Sequence, residues 1–243
     1  MSALERRVLV AIPAYNEAAT IHKIVARVRE SMSDFDLLVV NDGSRDGTRD
    51  ILESLNVVTL THLCNLGYAR AIQTAIKYAL ACDYAFLITL DADGQHHPEE
   101  VYALYQESIR NEWDVLIGSR YIRTKDYSHS PLGRRVGMQT FSLLVKLASG
   151  KRVYDTSSGL KVMKRNVFEA LAQSLFVDFH AEVIVYLIRL GYRVGEFPIT
   201  AAERTHGQSM YSILSHLKYP LKTLLLILLG MIEASLRRRR NHL

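Results

Sequence analysis

Four short apolar runs punctuate the first part of this chain, and three of them open into polar clusters. Val8-Leu9-Val10-Ala11-Ile12 leads into Pro13-Ala14-Tyr15-Asn16-Glu17, and Leu37-Leu38-Val39-Val40 leads into Asn41-Asp42-Gly43-Ser44. Residues 57–60 form a third run, and Ala85-Phe86-Leu87-Ile88-Thr89-Leu90 leads into Asp91-Ala92-Asp93-Gly94-Gln95. Unbroken apolar runs of this length read as strands buried on both faces of a parallel sheet. Between them apolar residues recur at helical spacing: Ile21, Ile24, Val25 and Val28 in one segment, Ile72, Ala75, Ile76 and Ala79 in another. Asn16 is placed to cap the first of these helices. Residues 48–55 read as a short helix of their own. The βαβαβαβ order predicts a mostly parallel, doubly wound α/β sheet with right-handed crossovers. Such sheets bind ligands beyond the carboxyl ends of their strands, where the three polar clusters fall.

The second half is less regular. Residues 115–117 read as a strand leading into Gly118-Ser119-Arg120, and Phe141, Leu144, Val145 and Ala148 mark one face of a helix. Residues 158–163 read as a strand or edge segment, 179–190 as a helix and 193–199 as a strand. No linker or repeat divides the 243 residues, so the expectation is a single domain over 1–210 with an extension over 211–243. Two cysteines, Cys64 and Cys82, are too few for a disulfide framework and fit a reducing compartment. The polar residues 1–7 and the short run after them do not form a secretory leader, so a cytoplasmic location is expected. The net charge of +5 suits an anionic substrate or an anionic surface. The arginines gather at the end of the chain rather than along a stripe with aromatics, so no nucleic-acid partner is expected.

Asp91 and Asp93 stand one residue apart at the mouth of a buried strand, and a turn at Gly94 lets both reach one point. Hard oxygen ligands at such a spot suit Mg²⁺ or Mn²⁺, cations that bind diphosphates. A strand-end turn whose acids face water is the plainer reading of the same residues, and Asn41-Asp42-Gly43-Ser44 has the composition of an ordinary turn.

The motifs taken together resemble family 2 glycosyltransferases of GT-A fold. Ile12-Pro13-Ala14-Tyr15-Asn16-Glu17, Asn41-Asp42-Gly43-Ser44-Arg45-Asp46-Gly47-Thr48, Asn65-Leu66-Gly67-Tyr68-Ala69 and Asp91-Ala92-Asp93-Gly94-Gln95-His96 follow in the family's order. Gly118-Ser119-Arg120, Asp155-Thr156-Ser157-Ser158-Gly159-Leu160 and Glu203-Arg204-Thr205-His206-Gly207-Gln208-Ser209 continue the match. The chain is most similar to the branch that makes dolichol- or polyprenyl-phosphate mannose or glucose. It departs from that pattern at Met210, where the branch has lysine.

The resemblance implies transfer of a sugar, with inversion, from a GDP- or UDP-sugar to a polyprenyl phosphate. Transfer to a glycan hydroxyl is the alternative within enzymes, and a non-catalytic binding protein that keeps the fold is the alternative outside them. Asp93, with Asp91 and Gln95, is expected to hold the cation. Pro13, Tyr15, Glu17, Asp42 and Gly43 are expected to frame the nucleotide. Arg120, Arg134 and Arg204 are expected to gather around the donor diphosphate or the acceptor phosphate, since guanidinium forks match phosphate oxygens. Asp155 is expected to contact the sugar or orient the acceptor, with Asp178 and Glu182 as alternatives for any carboxylate base. A phosphate acceptor is already anionic and has little need of one. His96 and His97 fill the turn before Pro98 or join the metal site.

Residues 221–236 are strongly apolar and are followed by Arg237-Arg238-Arg239-Arg240. The charge-free stretch 223–232 is about half the length a spanning helix needs. An apolar stretch beside a polybasic run fits an in-plane helix on the anionic cytoplasmic face of a membrane. It also fits docking on a small membrane protein, docking on a second copy of the chain, or a core-covering helix with a solvated basic tail.

Overall fold

The computed structural model describes residues 7–94, 96–122, 132–174, 178–200 and 213–241. In chain order the elements are β1 (Val8–Ala14), α1 (Ile21–Ser31), β2 (Asp36–Asn41), α2 (Thr48–Ser54), β3 (Val58–Thr61), α3 (Tyr68–Ala81), β4 (Phe86–Thr89) and α4 (Pro98–Arg110). There follow β5 (Val115–Ser119), α5 (Leu132–Ser149), β6 (Lys161–Lys164), α6 (Arg165–Ala172), α7 (Ala181–Leu190), β7 (Val194–Pro198) and α8 (Ile213–Asn241).

The strands form one seven-stranded sheet in the order β3-β2-β1-β4-β6-β5-β7. Alternation of side chains splits each strand's residues between two layers. Val10, Ile12, Val39 and Ile88 pack with α1, α2 and α4 on one face, while Leu9, Ala11, Leu38, Leu87 and Met163 pack with α3, α6 and α7 on the other. Each fully buried aliphatic side chain contributes roughly 1.5–3 kcal/mol. Ile12, Ile72, Leu87 and Ile88, all at 0% exposure, therefore anchor the strands whose ends build the site.

Of the two readings of 158–163, the strand holds and the edge segment does not, and the expected cap at Asn16 changes. As β6 the segment lies inside the sheet, antiparallel to β4 (Thr89 opposite Lys161) and to β5 (Ile117 opposite Lys161). An antiparallel strand starts where its parallel neighbours end, so residues 155–160 arrive at the ligand-binding edge. Asn16 does not cap α1, whose N-cap is Thr20. It sits at φ 57° and ties two strand-end loops together: its N–H donates to Ser44 Oγ at 3.0 Å, and its Oδ1 accepts from the Arg45 N–H at 2.9 Å.

α8 has 29 residues. Its inner face, Thr223, Ile227 and Ala234, is buried in the same core as α7. Arg237 is part of this docking rather than of a solvated tail: its guanidinium donates to Ala170 O, Tyr186 Oη and Gln173 Oε1 at 2.9–3.0 Å. The opposite face exposes Leu225, Leu228, Leu229, Ile232 and Leu236, each 48–58% accessible. No helix among the described residues is long and apolar enough to cross a membrane.

Candidate functional site

The carboxyl ends of β1, β2 and β4 are stitched into one rim. The Asp42 N–H donates to Ala14 O at 2.8 Å, and the Leu90 N–H donates to Ala11 O at 3.0 Å. The Glu17 N–H donates to Thr48 Oγ1 at 2.8 Å, and the Thr20 hydroxyl lies 2.8 Å from Glu17 Oε2 and 2.9 Å from Ala92 O. Pro13 is half-buried and Tyr15 is 41% exposed on this rim.

The Asp42 carboxylate is held by the loop that follows β3. It accepts from the Leu66 N–H at 2.9 Å and the Gly67 N–H at 2.8 Å, and His62 Nδ1 lies 2.7 Å away. The acid thereby holds the loop that leads into α3, where a negative charge suits the start of a helix. Gly43 is required beside it. It has φ +68°, and a Cβ there would come within 2.4–2.7 Å of the Cys64 and Asn65 backbone. His62 has no signature in its local sequence; only the fold brings it to Asp42.

Asp91 and Asp93 follow β4, with Gly94 at φ +74° completing the turn. Asp93 is 7% exposed as a residue, and the Asp91 side chain is 30% exposed. Burial pushes the Asp91 carboxyl above its ordinary value, and neighbouring Asp93 adds to this while His96, Lys161 and Arg120 oppose it. His96 Nε2 lies 4.0 Å from Asp91 Oδ2, and burial keeps this imidazole neutral in spite of the acid. His97 is the N-cap of α4, which begins at Pro98.

The segment 155–160 forms the opposite wall. Thr89 Oγ1 donates to Gly159 O at 2.6 Å, so Gly159 lies directly against Asp91. Asp155, at 0% exposure, grips Arg120 through Nε at 2.7 Å, Nη2 at 2.9 Å and the backbone N–H at 3.1 Å. Burial works against the charge of Asp155, but Arg120 outweighs it and holds the carboxyl below its usual 3.8. Glu196 of β7 fixes the loop from behind by accepting from the Tyr154 and Asp155 N–H groups at 2.9 Å. Lys161, the first residue of the central strand β6, is 2% exposed and donates its Nζ to Ser158 O. Burial brings Lys161 down to about 8, opposed by Asp91, Asp155 and Glu182. Neither Glu196 nor Lys161 carries a motif; the one available signal was a charge interrupting an apolar strand.

The other candidate bases are also engaged. Asp178 lies 2.8 Å from Lys222 of α8, and Glu182, 1% exposed, accepts the His180 N–H at 3.2 Å. Gln95, Arg204 and the side chain of Arg134 lie outside the described residues.

No group of three or more His, Cys, Asp or Glu among the described residues is placed to hold a metal ion. The donor set nevertheless fits Mg²⁺ or Mn²⁺. Mg²⁺ binds through one or two carboxylates and completes its shell with water and substrate phosphates rather than an all-protein cage. A carboxyl raised by burial beside a second acid gains when a cation arrives.

The Arg120–Asp155 pair yields a direct expectation. Asp155→Asn leaves the Arg120 guanidinium, 14% exposed, without its counter-charge. Removing one partner of a buried pair costs about 3–5 kcal/mol. A group whose folded pKa is depressed contributes stability above its unfolded value and loses it as pH falls through the folded one. Urea melts should therefore separate the two proteins at pH 7, with the gap closing only as pH falls below 3.8.

The sequence model for the family described as "Glycosyl transferase family 2" matches residues 9–172. Polyprenol monophosphomannose synthase of Mycolicibacterium smegmatis is 32% identical over 218 residues, spanning 85% of this chain and 82% of that one. Undecaprenyl-phosphate mannosyltransferase of Micrococcus luteus is 31% identical over 215 residues, spanning 85% and 88%. Among solved structures, glucosyl-3-phosphoglycerate synthase from Mycobacterium tuberculosis, in complex with Mn²⁺, uridine-diphosphate-glucose and phosphoglyceric acid, superimposes with a TM-score of 0.65. That likeness covers 95% of this chain and 84% of that chain at 17% identity, and it is a likeness of GT-A fold.

Proposed function

Because the chain belongs to glycosyl transferase family 2, we propose that it is an inverting, metal-dependent hexosyltransferase carrying a sugar from a GDP- or UDP-sugar to a polyprenyl phosphate at the cytoplasmic face of a membrane. The observation that carries the choice of acceptor is the state of the three candidate bases. Asp155 is locked to Arg120, Asp178 is paired with Lys222, and Glu182 is buried against the His180 backbone. A hydroxyl acceptor gains from a free general base to take its proton; a phosphate oxygen attacks as an anion without one. The two lipid-phosphate mannosyltransferases similar to this chain support the same acceptor class.

In this reading the donor lies across the ends of β1, β2 and β4. Asp93 and Asp91, with Gln95, hold the divalent cation, and Pro13, Tyr15, Glu17 and the Asp42–Gly43 turn shape the nucleotide side. A bound Mg²⁺ or Mn²⁺ supplies charge stabilisation for the departing nucleoside diphosphate. Asp155 sets the guanidinium of Arg120 in place before substrate arrives, so its orientation requires little reorganisation during reaction. Arg134 and Arg204 complete the phosphate contacts. Labelled sugar should pass from the donor into an organic phase only when polyprenyl phosphate is supplied. Label appearing solely in water-soluble product would place the chain with transferases of glycan hydroxyls.

The exposed face of α8 supports the membrane side of this reading. Leu225, Leu229 and Ile232 are each more than half exposed, and Arg238 and Arg239 follow on the exposed surface. Since the inner face of α8 is core, the informative variant alters the outer face and keeps the helix. Leu225→Gln, Leu229→Gln and Ile232→Gln together should weaken sedimentation with anionic vesicles by about a hundredfold. Each buried aliphatic contributes roughly 1.5 kcal/mol or more, and half-exposed ones somewhat less. Raised salt should weaken wild-type binding as well, because basic residues near such a surface contribute about 1 kcal/mol each. Undiminished sedimentation of the triple variant would assign this face to a small membrane protein or a second copy.

A further inference from the structure

Behind Asp91 stands a pair of stacked rings that the donor chemistry above leaves unused. Tyr68 opens α3, and His180 lies just before α7. Their ring centroids are 5.9 Å apart with the planes within 10°. The Tyr68 hydroxyl is buried and faces the Asp91 carboxylate, yet it makes no hydrogen bond of ordinary geometry among the described residues. A phenol O–H beside a carboxylate can only act as the donor of the pair. His180 Nδ1 is likewise buried without a partner among the described residues. Burial, with Lys161 nearby, holds this imidazole near 4, so its ring is neutral when it stacks. The stretch that carries it is fixed at both sides, by Asp178 on Lys222 and by the His180 N–H on Glu182.

Buried polar groups are nearly always hydrogen-bonded, and an exception calls for an explanation. Here a buried donor that misses ordinary hydrogen-bond geometry is aimed at a carboxylate that moves by rotating about its own side-chain bonds. Hydrogen bonds at such sites are often long or misaligned without substrate and tighten when it binds. We propose that Tyr68 is a positioning residue of the donor site: its hydroxyl donates to Asp91 once a nucleoside diphosphate and its divalent cation are bound, and His180 holds the tyrosine ring in place by stacking. The hydrogen bond fixes which Asp91 oxygen faces the diphosphate. The stack needs a flat ring at 180 but neither of its nitrogens.

This inference rests on the donor-site reading of Asp91, and the test separates the two. Calorimetric titration of the full chain with UDP or GDP in the presence of Mn²⁺ reads binding without turnover, and steady-state rates read kcat and KM. Tyr68→Phe should keep its melting temperature and its KM for polyprenyl phosphate. It should weaken binding of the Mn²⁺–nucleotide and lower kcat by about tenfold or more, as expected for a lost hydrogen bond to a charged group. His180→Phe, which retains a flat ring, should resemble wild type in both measurements, whereas His180→Ala should resemble Tyr68→Phe. Unchanged binding and kcat in Tyr68→Phe would overturn the proposal. Loss in His180→Phe equal to that in His180→Ala would overturn the stacking role. A wild-type chain that binds neither nucleotide would overturn the donor-site reading itself, and this inference with it.

Discussion

Asp93→Asn should lower transfer by about two to three decades while leaving the fold intact. The substitution keeps the shape of a side chain in a residue only 7% exposed and removes a single negative charge. Groups that meet charge developing in the transition state are typically worth about 10²–10³ in rate when removed. The turn itself is set by Gly94 at φ +74°, and the strand behind it by Leu87 and Ile88 at 0% exposure. Initial rates at saturating donor, measured beside a thermal melt, distinguish lost chemistry from lost structure. Turnover should also require a divalent cation. Full activity of the wild-type protein in excess chelator would remove Asp93 from the role assigned to it.

Gly159→Ala should be nearly as damaging for a different reason. A Cβ at this position would stand 2.0 Å from both Oδ1 and Oδ2 of Asp91 and 2.2 Å from its Cγ. The backbone cannot withdraw freely, since Gly159 O accepts from Thr89 Oγ1 at 2.6 Å and the next strand, β6, is held between two neighbours. Asp91 must swing away. A misplacement of about 1 Å near the reacting groups costs on the order of a hundredfold in kcat/KM. Overpacking a well-filled site also costs typically about 1–3 kcal/mol of stability. The expected pattern is a large loss of kcat/KM with a modest fall in melting temperature. A rate within twofold of wild type would mean that Asp91 has no fixed place in the reaction.

These two predictions come from different levels of information. Asp93 was legible as a candidate because its signal is local: an apolar run, two acids one residue apart, and a glycine to turn the chain. Strands β1 to β4 and helices α1 and α3 were legible for the same reason, since a buried strand and an amphipathic helix impress their periods on neighbouring residues. Gly159 belonged to a recognisable motif, but its purpose did not. Thr89 and Gly159 are 70 positions apart, and no period or spacing records that the second must pass against the acid that follows the first.

The same division runs through the rest of the site. Local sequence shows the acids and arginines at the strand ends; it does not show their partners. Arg120 and Asp155 were read as independent phosphate and sugar contacts, and the fold joins them across 35 positions into one bidentate pair. Asp42 is expected beside the nucleotide, and the fold adds partners that no local spacing shows, His62, Leu66 and Gly67 around its carboxylate. The apolar length of α8 suggested either a membrane face or a core face, and the tertiary structure provides a separate side of the helix for each. What the sequence determined by itself were the elements and the chemical kinds of residue at their ends, because hydrophobic period, turn residues and charge are properties of neighbours along the chain. What only the tertiary structure decided was which charge meets which, because the antiparallel insertion of β6 between β4 and β5 brings 155–160 to the rim, and strand order is set by packing that no local segment contains.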